Sequence, residues 1–193
     1  LHEPNQLHDG LSQAAWGYFF VTFDFNLGTV SVLPRFVGFL LLLSAIGKLS
    51  GLRRDLVLLR SLCMLLACYS FGDWFLSWSG RDIDGIIPFL DLVVAVAMLY
   101  FHFQFLTDMA ALAQEFQLDD DNLPARMRSH RTAYTLLVTC ISLLGSAAQV
   151  FPWEWWPGVT VFVAVITCIV ALLIMADLFH LRRLAPRMEI GPQ

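Results

Sequence analysis

Four stretches of this chain, 56–79, 86–106, 132–151 and 158–181, are apolar nearly throughout, and each is bounded by polar or turn-forming residues. A helix crosses a bilayer with roughly 20 such residues, because hydrocarbon offers its backbone no water to bond with. Runs of this length in a chain of 193 residues leave little sequence for a soluble domain. The composition agrees, with 58 % hydrophobic and 15 % charged residues, against about 45–50 % and about 25 % in ordinary soluble domains. Disorder is excluded by the same apolar content. A net charge of −4 argues against nucleic acid as a partner, since phosphate binding needs clustered positive charge.

Two further segments complete the pattern. Residues 34–49 form an apolar run that Leu33-Pro34-Arg35 opens, and proline is well suited to a first helical position because it lacks an N–H. Residues 11–26 are aromatic and apolar but short, and they carry Asp24. The fold expected is all-α: a polytopic transmembrane helix bundle of six segments forming one domain over 1–193. The first segment is a short span, a re-entrant hairpin or an interfacial helix, and five spans is the alternative. The 86–106 span is expected to run on as an amphipathic cytoplasmic helix to about 118, before Asp119-Asp120-Asp121 and a turn at Asn122-Leu123-Pro124.

Positive loops stay cytoplasmic. Lys48, Arg53 and Arg54, then Arg126, Arg128 and Arg131, then Arg182, Arg183 and Arg187 all fall on one side of the expected bundle, leaving Arg35 and Arg81 on the other. This predicts a multi-pass protein whose C-terminus is cytoplasmic, with the N-terminus there too if six segments cross. Residues 1–10 have no basic region and no small-residue cleavage site, so they do not read as a signal peptide. Cys63, Cys68, Cys140 and Cys168 all fall inside spans without paired spacing, so they read as reduced, small apolar residues.

Polar side chains are costly in hydrocarbon, which makes their positions informative. Thr135, Thr139, Ser142, Ser146 and Gln149 recur at spacings of four and three, on one face of the fifth segment. Cys63, Ala67, Ser70, Trp74 and Ser77 share a face of the third, and Asp91, Ala95, Met98 and His102 share one of the fourth. Two readings fit such faces: close helix packing through small hydroxyl residues, or the wall of a polar binding path. The seam Ser44, Gly47 and Gly51 offers close packing in the second segment.

The end of the bundle opposite the basic loops is acidic, with Asp24, Asp73, Asp82, Asp84, Asp91 and Glu154. Carboxylates backed by aromatic rings suit a cation through charge and ring quadrupole together. The candidate ligand-binding residues are therefore Asp73, Asp91, Tyr69, Trp74, Gln149 and Ser146, with His102 as a proton-sensitive element because histidine titrates near neutral pH. His102, Asp108, Asp177 and His180 are weaker candidates for a divalent metal, with no motif such as His-Glu-x-x-His to support them. No nucleophile elbow, phosphate loop or Ser–His pair is present, so neither catalytic residues nor a cofactor are expected.

Asp24-Phe25-Asn26-Leu27-Gly28, followed by Leu33-Pro34-Arg35-Phe36-Val37-Gly38-Phe39, resembles a pattern in small uncharacterised integral membrane proteins of Gram-positive bacteria. The resemblance covers about residues 15–50. It implies a helical hairpin of 11–26 and 34–49 with a tight turn containing Gly28 and Pro34, in a bacterial cytoplasmic membrane. The chain departs from the pattern at Arg35, where the family has an acid, and the family carries no function to transfer. The function expected from the residues is a non-enzymatic transport or binding protein for a cation or small cationic solute. The alternatives are an accessory or scaffold subunit of a larger membrane complex, and a metal-dependent membrane enzyme. The partners expected are the lipid bilayer, the solute, and a membrane protein or a second copy of the chain.

Overall fold

The computed structural model describes residues 4–23, 26–27, 30–31, 34–51, 55–78, 90–115, 122–150 and 155–184. Among these, six helices follow in chain order: α1 (Pro4–Thr22), α2 (Arg35–Leu49), α3 (Asp55–Ser77), α4 (Leu90–Glu115), α5 (Leu123–Val150) and α6 (Trp156–Leu184). Between α1 and α2, the two-residue strands β1 (Asn26–Leu27) and β2 (Val30–Ser31) pair antiparallel, with Asn26 opposite Ser31. Each helix packs on the next, and α6 returns to α1, so the six form a closed ring. Three of them, Leu56–Ser77 of α3, Leu92–Glu115 of α4 and Trp156–Leu184 of α6, are long and apolar enough to cross a membrane.

Several boundaries differ from the sequence reading. The first segment is helical over Pro4–Thr22, rather than 11–26. At 19 residues it is about 28 Å long, close to a bilayer's hydrocarbon thickness. Pro34 caps α2 from an extended conformation instead of occupying its first turn, and Val37 N–H reaches the Pro34 carbonyl at 3.0 Å. α5 begins at Leu123, a full two turns before the apolar run at 132, because Arg126, His130 and Arg131 find side-chain partners on α6 and α4. α4 does run on past 106, as far as Glu115, with Met109, Ala110, Leu112 and Ala113 in the core and Gln114 and Glu115 exposed.

A segment that does not stand out as a span is among the most enclosed. Leu11, Ala14, Ala15, Tyr18 and Val21 of α1 are buried, as are Phe39, Leu42, Ala45, Ile46 and Leu49 of α2. What brings α1 in is a close backbone approach. A Cβ on Gly17 would stand 2.9 Å from the Gly38 carbonyl oxygen, and one on Gly38 would stand 2.8 Å from the Val21 nitrogen. Small residues at such crossings let backbones touch, which replaces hydrophobic drive with dense van der Waals contact. The seam expected at Ser44, Gly47 and Gly51 instead faces outward: all three are exposed, and a Cβ on Gly47 would meet nothing within 4 Å.

Buried residues are unevenly spread along the ring. In α3 they run from Leu56 to Ser70, in α4 from Phe101 to Ala113, and in α6 from Ala171 to Leu181. They therefore gather at one end of the bundle, where α1 begins and α6 finishes. Lys48, Arg126, Arg128, Arg131, Arg182 and Arg183 lie at that same end, and Arg182 Nε–H donates to His8 Nε2 at 3.2 Å. Toward the other end α3, α4 and α6 bury nothing of the core and expose Phe75, Val93, Val96, Val161 and Phe162. Only 11 % of the apolar window of α6 is buried, a degree of exposure that a water-soluble surface does not carry.

Replacing Gly38 by Val should push α1 off α2 and lower stability by about 1–3 kcal/mol, the usual cost of overpacking. Gly47→Ala should leave stability unchanged or raise it by up to about 1 kcal/mol through helix propensity. Thermal unfolding of the two variants in detergent, beside wild type, measures the contrast.

Candidate functional site

Where the helices separate, a cavity of about 410 Å³ opens between α1, α2, α4 and α5. On α4, Leu92, Ala95, Leu99 and His102 lie three or four residues apart and so share the face that lines it. On α5 the lining comes from Tyr134, Val138, Thr139 and Ser142; Val21 and Thr22 close it at the end of α1, and Arg35 at the start of α2. From Leu92 to His102 the wall of α4 rises about 15 Å. His102 and Tyr134 mark the floor, because both are buried and the packed core begins there.

The floor is aromatic. The His102 ring stands edge-on to Tyr18 with centroids 5.3 Å apart, and 5.5 Å from the Tyr134 ring. Tyr18 in turn stacks on Phe105 at 6.2 Å. One polar atom in this small region, His102 Nδ1, has no hydrogen-bond partner among the described residues, while the Thr22 hydroxyl lies within reach of the Tyr18 and Tyr134 hydroxyls. His102 is only 7 % exposed. A buried polar atom left unsatisfied costs about 1–3 kcal/mol, so one under a cavity calls for an explanation.

The polar stripe of α5 behaves differently. Thr135 donates to the Arg131 carbonyl at 2.9 Å, Thr139 to that of Thr135 at 2.8 Å, and Ser142 to that of Val138 at 3.1 Å. A hydroxyl has one hydrogen to give and two lone pairs. With the hydrogen bound to its own helix, Thr139 offers the cavity an acceptor alone. The side chains of Asp91, Ser146 and Gln149, and residues Asp24, Asp82, Asp84 and Glu154, lie outside the described residues.

The other predicted residues are distributed as follows. Ala95, Met98 and His102, expected to share a face, all line the cavity. Tyr69, Asp73 and Trp74 on α3 do not. Asp73 is exposed, and Trp74 belongs to an aromatic cluster with Phe36 at 5.4 Å and Trp78 at 5.5 Å. The α3 face of Cys63, Ala67 and Ser70 is packing: all three are buried, and the Cys63 thiol donates to the Phe39 carbonyl at 3.3 Å. All four cysteines are free thiols.

The candidates for a metal do not assemble either. Among the described residues no three His, Cys, Asp or Glu side chains come together as a ligand group. Asp177 is buried against α5, where Arg126 Nε–H donates to Oδ1 at 2.7 Å and His130 Nδ1 stands 2.7 Å from Oδ2. Asp108 accepts from Gln104 Nε2 at 3.0 Å. Arg131 spans α4 and α5, donating to Thr107 at 2.7 Å with its guanidinium 4.1 Å above the Phe103 ring.

Among the polar lining residues, Arg35, Tyr134 and Thr22 were not singled out from sequence as site residues, nor was Tyr18, which packs beneath the lining against His102. Tyr18 and Thr22 are four residues apart on α1, a polar pair on an aromatic helix that was the available signal. Arg35 stood out only as a departure from the acid in the resembling pattern. Comparison with known proteins finds no family model, no curated protein and no solved structure that matches the chain.

Asp177→Asn should cost about 1.5–3 kcal/mol, the range for hydrogen bonds to a charged group. It should also loosen α6 from α5 without altering the cavity. Thermal unfolding measures the first effect, and hydrogen exchange over 123–131 the second.

Proposed function

We propose that this chain is a multi-pass protein of a bacterial cytoplasmic membrane that binds a small amphipathic molecule in the α1–α2–α4–α5 cavity, for transport or sensing. All six helices lie within the membrane, and both ends of this chain face the cytoplasm. The support for the membrane placement is the exposed apolar surface of α3, α4 and α6 together with the basic residues gathered at one end of the bundle. α1 and α2 are individually too polar or too short to stand out as spans, and each is held by its ring neighbours, α1 by α2 and α6 and α2 by α1 and α3.

The observation that carries the binding reading is the unsatisfied Nδ1 of His102, buried at the floor of a cavity of about 410 Å³. The walls are mostly aliphatic, the floor offers hydrogen-bonding groups, and the mouth carries Arg35. That arrangement suits a molecule with an apolar body and a polar head reaching His102. A second reading, an accessory subunit, is favoured by the outward Ser44, Gly47 and Gly51, a surface that admits a close-packed partner helix.

His102→Leu tests the binding reading, because it removes the unsatisfied group while filling similar space. The variant should be as stable as wild type or more so, by up to about 1–3 kcal/mol, and should lose its response to ligand. A ligand at about 100 times its dissociation constant adds about 2.7 kcal/mol to wild type. A thermal-shift screen of neutral, anionic and cationic amphiphiles, with Arg35→Gln and Asp91→Asn alongside, reads out both the site and the sign of the charge. A wild type that responds to none of them turns the work toward copurifying partners.

For the topology, single cysteines at Gln6 and Ser31 in a cysteine-free background should label from opposite sides of intact cells. Labelling of both from one side would take α1 out of the membrane.

A further inference from the structure

A second concavity lies on the outside of the ring, at the basic end, in the groove between α5 and α6. It encloses about 610 Å³. Along α6, Leu173, Ala176, His180 and Arg183 follow at spacings of three, four and three, so they form one stripe about 15 Å long. The stripe changes character along its length: it is apolar at Leu173, with Leu172 beside it, and basic at Arg183 in the last turn of α6. Ala176 carries a single methyl at the middle, which leaves the groove its depth. Arg126 of α5 borders the basic part.

The charges in this lining do not cancel. Asp177 takes up Arg126 on one oxygen and His130 on the other, each at 2.7 Å, which leaves Arg183 as excess positive charge in the lining. Its neighbour Arg182 turns the other way, toward His8 of α1. The apolar half runs into the exposed face of α6, where Leu172 and Leu173 are 48 % and 44 % exposed.

We propose that this groove is a binding site for an anionic phospholipid, its phosphate held by Arg183 and one acyl chain laid along Ala176, Leu173 and Leu172. Basic pockets at the cytoplasmic ends of membrane helices recognise anionic headgroups by this combination of charge and hydrocarbon. Free phosphate would use the basic half alone, and the apolar half argues for the lipid. The site is separate from the cavity and shares with the function proposed above only the membrane placement.

The test adds short-chain phosphatidylglycerol, phosphatidylcholine of the same chain length, or inorganic phosphate to the delipidated full chain in detergent. Thermal unfolding and native mass spectrometry are the two readouts. Phosphatidylglycerol should raise the melting temperature and remain bound in the gas phase, while phosphatidylcholine and inorganic phosphate should do neither. Arg183→Gln should weaken phosphatidylglycerol binding about fivefold, the loss expected for one basic residue at an anionic membrane surface. Arg183 is exposed, so the variant should melt as wild type does without lipid. Leu173→Asn should weaken the lipid's effect while leaving the basic groups intact. Equal stabilisation by phosphatidylcholine, equal stabilisation by inorganic phosphate, or an unchanged response in Arg183→Gln would each overturn the proposal. None of these outcomes bears on ligand binding at His102, which the cavity screen reads independently.

Discussion

Gly17 and Gly38 allow the backbones of α1 and α2 to touch, and the rest of the bundle is arranged around that contact. Because α1 sits so close to α2, Tyr18 reaches across to His102 and Phe105 of α4, while Trp16 on another face meets Phe179 of α6 at 5.6 Å. One helix thereby ties the ring at both of its sides. Larger residues at either glycine would hold the two axes apart, and Tyr18 would no longer close the base of the cavity. In a bilayer, where hydrocarbon is as apolar as leucine, contact of this density is the main source of helix association.

The polar groups of the bundle fall into three classes by how they are satisfied. The hydroxyls of α5 bond back to their own helix, so they tolerate an apolar setting at little cost. Asp177 and Arg131 bond between helices and hold α6 and α4 to α5. Under the cavity, His102 Nδ1 bonds to nothing described, beside the neighbouring hydroxyls of Thr22 and Tyr18. An unsatisfied group under an open space makes the cavity a better site than its volume alone would, since a bound molecule recovers what folding left unmade.

The two ends of the ring are built for different tasks. At the basic end the helices converge and the core is continuous from Leu11 and Leu49 to Leu112 and Leu181. At the other end α4 and α5 no longer bury core residues, and the space between them is the cavity. A closed, charged base and an open, mostly aliphatic top fit a protein that admits a molecule from one side and is anchored at the other. The α5–α6 groove belongs to the base, and an anionic lipid seated there would brace the helix pair that Asp177 already links.

The amino-acid sequence by itself determined the class of this protein. Apolar runs of bilayer length, and basic residues gathered mostly in alternate loops, point to a helical bundle with membrane-spanning segments, and both signals are local enough to read along the chain. The face of Ala95, Met98 and His102 was legible for the same reason, since helical period alone puts them together. Tertiary structure decided which surfaces meet. Glycines at 17 and 38 carry no hydropathy signal, so the enclosure of α1 could not be read from its weakly apolar sequence. The small residues at 44, 47 and 51 gave a packing signal yet face outward. Arg35, Thr22, Tyr18 and Tyr134 come from three helices far apart in the chain, and only the closing of the ring brings them to His102. Periodicity fixes the face a residue occupies, while the partner of that face depends on shapes the linear pattern does not encode.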